Sequence, residues 1–84
     1  MAEIMVGKVS DYFGHIGVAA VDLSGALKVG DDIRITGHTT NLELKLGSMQ
    51  IDRKPIDHAR SGDSVGIQVP ERVRIGDSVF LVTG

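Results

Sequence analysis

Residues able to do chemistry are few in this sequence and lie far apart. The three histidines, His15, His38 and His58, fall in three separate predicted turns. They lack the i, i+4 spacing that assembles a metal site on one element, and no metal is expected. Asp31 and Asp32 are adjacent, and successive strand side chains point to opposite faces, which makes them a poor general acid–base pair. No Ser/His/Asp set can be singled out, because Ser and Asp abound only in turns. Without cysteine there is neither thiolate nor disulfide chemistry. These residues point to a protein that is not an enzyme and needs no cofactor.

Binding is the more promising chemistry. The stretch YFGHIG at 12–17 sets Tyr12 and Phe13 beside His15 in a loop between the first two strands. An aromatic stacked on a base is worth about 1–3 kcal/mol, so Tyr12 or His15 could contact RNA. Alternatively, Phe13 plugs one end of a barrel while Tyr12 lies across the rim. Arg53, Lys54, Arg72 and Arg74 could form a local positive edge, with Arg72 and Arg74 pointing the same way if that segment is extended. The same cations could equally be a solvated rim interleaved with Asp52, Asp57, Glu71 and Asp77. Nine basic against eleven acidic groups give a formal charge of −2. Diffuse nucleic-acid binding needs a strongly basic protein, so any such contact would have to be local.

The elements that must hold these residues read as strands. Eighty-four residues suit one domain, spanning 1–84, and a 42% hydrophobic content suits a packed core. Eleven glycines and two prolines punctuate alternating Val, Ile and Leu runs, the pattern of half-buried strands. DDIRITG buries Ile33 and Ile35, DSVGIQV buries Val65, Ile67 and Val69, and SVFLV buries either Val79 and Leu81 or Phe80 and Val82. EIMVGKVSDYF and HIGVAAVDL carry apolar residues on both faces and read as central or strongly coiled strands. In NLELKLGSMQIDR the apolar phase slips after Leu46, and a β-bulge at Gly47 would absorb it. KPIDHARSG at 54–62 has one turn of helical character. The expectation is an all-β domain, a single small closed β-barrel of six to seven mostly antiparallel strands.

One phrase occurs three times: KVGDDIRI at 28–35, RSGDSVGI at 60–67 and RIGDSVFL at 74–81. A phosphate-gripping loop would be followed by a helix and carry Gly-Lys-Ser/Thr, and these are followed by strands. Each is a turn into a strand, with glycine supplying positive φ and aspartate bonding nearby N–H groups. The phrases also carry a resemblance. GALKVGDDIRITG, SMQIDRKPIDHARSGDSVGIQV and VRIGDSVF together resemble domain II of the translational GTPases, such as elongation factor Tu, in family order from Val6 to Val82. The chain also resembles small stand-alone translation-elongation-factor-like proteins and the barrel appended to some collagenase-like peptidases. The resemblance implies a translation-factor domain II-like barrel and a role in protein biosynthesis. No P-loop is present, so no nucleotide is expected. Leu23 and Ser64 stand where that family places a Glu and an Asn of its aminoacyl pocket, so aminoacyl-tRNA binding is not carried over.

The leading expectation is thus a translation-factor-like binding module that contacts RNA or the ribosome, through Tyr12, His15, Arg53, Lys54, Arg72 and Arg74. The competing one is a protein-interaction module, an accessory subunit whose partner is a separately encoded enzyme. No apolar run reaches the ~18–20 residues that span a membrane, and the start of the chain does not read as a secretory signal. A cytoplasmic location and no membrane contact are expected.

Overall fold

The computed structural model describes residues 2–83 and contains ten strands and no helix. They are β1 (Ala2–Phe13), β2 (Val18–Leu23), β3 (Leu27–Lys28), β4 (Asp32–Thr36), β5 (Asn41–Lys45), β6 (Met49–Ile51), β7 (Lys54–Ile56), β8 (His58–Ala59), β9 (Ser64–Gln68) and β10 (Ser78–Thr83). Every pairing is antiparallel. Eight strands form one sheet in the order β5-β4-β10-β1-β2-β9-β6-β7, and β3 pairs with β8 in a separate ribbon.

The all-β class and its antiparallel pairing are as the alternation implied, but the sheet is not a closed barrel and holds more, shorter strands. Its two ends, β5 and β7, do not pair. The break has a local cause. After β5 the chain turns away at Leu46, whose N–H and C=O are taken up by Asp31 and Gly30 instead of a neighbouring strand. At the other end β7 carries Pro55, which has no N–H to offer a further partner.

Gly47 is accordingly not a bulge. It lies in the connection at 46–48, and the apolar phase slips because β5 pairs with β4 while β6 pairs with β7 and β9. The register shifts are instead in β1, one between Met5 and Gly7 against β10 and one between Val9 and Asp11 against β2. The first explains why Val6 and Gly7 are buried in succession. The segment read as having one turn of helical character, 54–62, is instead extended in β7 and β8 and ends in the turn at 61–62.

The core is aliphatic. Ile33, Ile35, Val21, Val65, Ile67 and Val79 are fully buried from four strands, following the period-two alternation that puts every second side chain inside. In the last strand Val79 is buried and Leu81 packs against the core, resolving the two readings of SVFLV.

The three repeated phrases build three copies of one device. Asp31, Asp63 and Asp77 each donate their backbone N–H to the carbonyl three residues back, of Lys28, Arg60 and Arg74, at 3.0–3.1 Å. Each carboxylate in turn accepts the N–H of that same residue, at 3.0, 3.1 and 2.8 Å. The intervening Gly30, Gly62 and Gly76 have φ of 98°, 95° and 93°, as a type II turn requires at its third position. Each turn then grips one core residue from another part of the chain. The glycine N–H donates to the carbonyl of Leu46, Leu23 or Val9, and the aspartate carbonyl accepts the N–H of that same residue. The gripped residues are all buried, so the phrase closes the backbone hydrogen bonds of three core aliphatics.

Candidate functional site

The outer face of the sheet has an unusual floor. In β2 the inward residues are Ala19, Val21 and Leu23, and the half-buried Val18 and Ala20 point outward. Across the ladder Ala20 lies opposite Gly66 of β9, and Gly66 lies opposite Gln50 of β6. A solvent-facing row of this kind ordinarily carries charged or long polar side chains. Here Ala20 and Gly66 are small, and with Val18 and Gln50 they form the base of a trough of about 760 Å³. One wall is the β1–β2 turn with Phe13, His15 and Ile16, and the other is the β6–β7 hairpin with Asp52 and Arg53. A second groove continues from it past Val18, Gln50 and Gly66 towards Gln68 and Pro55.

Both walls are held by backbone. The β1–β2 turn is closed by the N–H groups of Ile16 and Gly17 donating to the Phe13 carbonyl at 3.2 and 2.9 Å, and the N–H of Val69 donates to the carbonyl of Gly17 at 2.9 Å. The hairpin is a two-residue turn in which Asp52 (φ 52°) and Arg53 (φ 65°) are both left-handed. Such turns favour Asn-Gly or Asp-Gly. A left-handed residue bearing a Cβ costs about 1–2 kcal/mol, so Arg53 occupies its place in the wall against its backbone preference.

The structure brings some of the predicted contact residues together and separates others. His15 and Arg53 face the same trough, and the exposed Lys54 follows Arg53 at the start of β7. Arg72 and Arg74 lie on the loop before β10 and line neither wall; Arg74 Nε donates to Thr39 Oγ1 at 2.8 Å, beside the β4–β5 connection. Arg72 and Arg74 are thus not part of the trough that Arg53 lines. Tyr12 is partly buried against the core, whereas Phe13 is exposed and plugs nothing.

Chemistry of other kinds finds little support in the geometry. His58 lies in β8 opposite Lys28 rather than in a turn, and its Nδ1 is 2.7 Å from Asp57 Oδ1. This hydrogen bond, with the charge of the ring, holds the Asp57 carboxyl below its usual value of 3.8. The pair is fully on the surface. Asp31 is engaged with the Lys28 N–H. Ser64 Oγ donates to Asp22 Oδ1 at 3.0 Å. Among the described residues no group of three or more His, Asp or Glu is placed to hold a metal ion. Among the same residues no helix is long and apolar enough to cross a membrane.

Sequence reasoning missed the trough floor. The signal was the two-faced apolar pattern of HIGVAAVDL, but its outward half becomes a site only once Gly66 is seen beside Ala20, a pairing 46 positions apart in the chain.

Comparison with known proteins gives this surface a context. No family model matches the chain. It is 38% identical over 81 residues, 95% of its length, to an uncharacterized protease of Methanocaldococcus jannaschii. It is 36% identical over 80 residues to a collagenase of Porphyromonas gingivalis. It spans only about a fifth of each, 20% and 19% respectively. Two crystal structures of the C-terminal domain of a Geobacillus thermoleovorans protein assigned to the U32 peptidases superpose with TM-scores of 0.85 and 0.88, at 19% and 18% identity. They cover 90% and 94% of this chain and 96% and 92% of their own, and show that the fold is shared.

These relatives correct the translation-factor reading. Proteases, a collagenase and a peptidase C-terminal domain replace elongation factors as the context, and the RNA-binding and protein-biosynthesis roles fall with it. The reason for the misreading lies in the turns. The repeated Gly-Asp phrases clamp core residues, so sharing them reports a common strand architecture and does not carry a ligand with it. The protein-interaction alternative fits the relatives better.

Proposed function

We propose that this chain is a non-catalytic protein-binding module that works alongside a peptidase. What supports the reading is a single proportion: 95% of the chain aligns with only 20% of the M. jannaschii protease. Four-fifths of that protein lies outside the shared part, with ample room there for a catalytic centre. The residues here fit an accessory part. The Asp57–His58 pair is solvated on both sides, and among the described residues no hydroxyl bonds to it to serve as a nucleophile. The surface features that remain are an apolar trough and unpaired strand edges, which suit contacts with polypeptide.

Affinity capture from native lysate, with and without ribonuclease, tests this reading. A peptidase polypeptide should be retained equally in both conditions, and the purified chain alone should leave casein and gelatin intact. Gelatin cleavage by the purified chain that disappears in the His58→Ala variant would overturn the non-catalytic role.

A further inference from the structure

We infer that β5 is a self-complementary edge, and that two copies of this chain associate by pairing it antiparallel with itself about Leu44. The inference goes beyond the peptidase reading and stands apart from it.

Of the two ends of the sheet, β7 is blunted by Pro55 and β5 carries no proline. The backbone of β5 has a fixed phase. The N–H of Leu46 donates to the carbonyl of Asp31, and the N–H of Gly37 donates to that of Thr40. Bonded and non-bonded pairs alternate along an antiparallel ladder, so Leu42 and Leu44 bond to β4. The N–H and C=O groups of Asn41, Glu43 and Lys45 therefore point to the free edge. Their side chains are exposed on the outer face, while Leu42 and Leu44 turn inward.

An open edge is ordinarily kept single by its charges. Here the charges match their own copies. Pairing about Leu44 sets Glu43 of each copy opposite Lys45 of the other, in bonded positions where each pair exchanges two N–H···O bonds. On β4, Arg34 lies beside Glu43 and Asp32 beside Lys45. A row across four strands then reads Arg34, Glu43, Lys45 of the second copy and Asp32 of the second copy, with the sign alternating at every step. Arg34 already holds Glu3 at 2.7 Å, and the recorded ion pairs include neither Glu43 nor Lys45. The neighbouring register in the same phase, about Glu43, would put Glu43 opposite its own copy, and opposed like charges are destabilising. A register about Leu42 would leave Lys45 with no strand residue opposite it. Leu44 supplies the apolar part. It is half-buried and lines a groove of about 480 Å³ with Gly47, Ser48, Val69 and Pro70, where the sheet fails to close. In the chosen register the two Leu44 side chains form a non-bonded pair, the closer of the two kinds, and each covers the other. So short an edge buries less than the ~1,200 Å² of stable complexes, and the dimer should be a weak one.

The test is sedimentation equilibrium of the whole chain from micromolar to millimolar concentration, where a reversible equilibrium of monomer and dimer should appear. Glu43→Lys alone, or Lys45→Glu alone, sets like charges opposite each other at both pairs and should weaken association at least tenfold. Mixing the two single variants restores opposite charges at both pairs, so the mixture should associate at least tenfold more tightly than either variant by itself. Amide hydrogen exchange in the unmodified chain gives a readout that no variant can spoil. Exchange at Glu43 and Lys45 should slow as concentration rises, while Leu42 and Leu44, already bonded to β4, should not change. The inference is overturned by a chain that stays monomeric at millimolar concentration, or by a dimer that either single variant leaves intact. It is equally overturned if the mixed variants fail to associate, or if protection rises at β7 instead of at Glu43 and Lys45. Protection of Glu43 and Lys45 that appears only when a peptidase polypeptide is added would give the edge to a strand of that partner and end the self-pairing.

Discussion

The carboxylate of Asp77 occupies the space that a side chain on Gly37 would need. Asp77 is buried, at 5% exposure, and its other oxygen is committed to the Arg74 N–H, so it cannot swing aside without losing the turn. Gly37→Ala should therefore destabilise the domain by about 2 kcal/mol, in the range of overpacked cores. In Asp77→Ala the same alanine at 37 should cost much less. A double-mutant cycle by chemical denaturation measures that coupling, and additive effects would mean that the two positions do not compete for space.

The three gripping turns make a prediction about handedness. Nothing lies within 4 Å of a Cβ built on Gly30, Gly62 or Gly76, so the penalty for alanine there comes from positive φ alone. L-alanine should cost about 1–2 kcal/mol at each position. D-alanine, introduced by chemical synthesis, prefers that region and should cost nothing or stabilise slightly. Equal losses for the two enantiomers would show that the glycines are needed for space.

Much of this architecture was legible in the sequence, and for an identifiable reason. Gly62 and Gly76 could be read as left-handed because turn chemistry is local and glycine answers a local demand. The core residues of DDIRITG and DSVGIQV followed from period two. Gly47 misled because a phase slip looks the same whether the strand bulges or changes partners, and only the pairing of β6 with β9 tells them apart. The closed barrel failed likewise, since closure depends on whether β5 meets β7, two strands whose own sequences say nothing of each other. Of the expected contact residues, His15 and Arg53 meet because two hairpins happen to flank one face. Arg74 parts from them because Thr39 binds it.

The corrected role of Gly47 changes what an insertion should do. One extra alanine between Gly47 and Ser48 falls in an exposed connection whose glycine has open space around it. Lengthening such a loop costs a few tenths of a kcal/mol, so thermal denaturation should move by only a degree or two. An insertion between Val9 and Ser10, inside β1, should by contrast push the rest of that strand out of register with β2, beside a residue the 74–77 turn holds by both backbone groups, and destabilise the domain far more.

Arg53 sits in the trough wall at a cost in backbone strain. Replacing it with glycine relieves a left-handed residue and should raise stability by about 1 kcal/mol, a rise in Tm of roughly 4–8 °C for a domain of this size. The same change removes the guanidinium from the trough wall. An Arg53→Gly variant that melts no higher than the parent would show that the hairpin bears no strain.

Asp57 gives a pH signature. Its carboxyl titrates below 3.8 because His58 bonds it. A lowered folded-state value means that the stabilisation is fully present above the ordinary value and is lost as pH falls through the lowered one. Carboxyl chemical shifts should place the Asp57 midpoint below 3.8, and His58→Ala should return it to the usual range. An unchanged midpoint in that variant would rule out the histidine as the cause.

The first strand of the chain and the last lie side by side in the middle of the sheet: Ala2 to Lys8 of β1 pair with Ser78 to Thr83 of β10, and β10 also carries β4 on its other edge. During synthesis on the ribosome, the β4–β5 hairpin and the β1-β2-β9-β6-β7 block stay two separate pieces, each with a bare edge, until β10 has emerged from the exit tunnel. Docking of β10 then joins them in one event. Deleting the six residues of β10 would leave two sticky half-sheets rather than a slightly trimmed domain. A permuted chain that begins near Gly47, with the old ends joined by a short linker, would have β10 and β1 made in succession and its two halves united midway through synthesis.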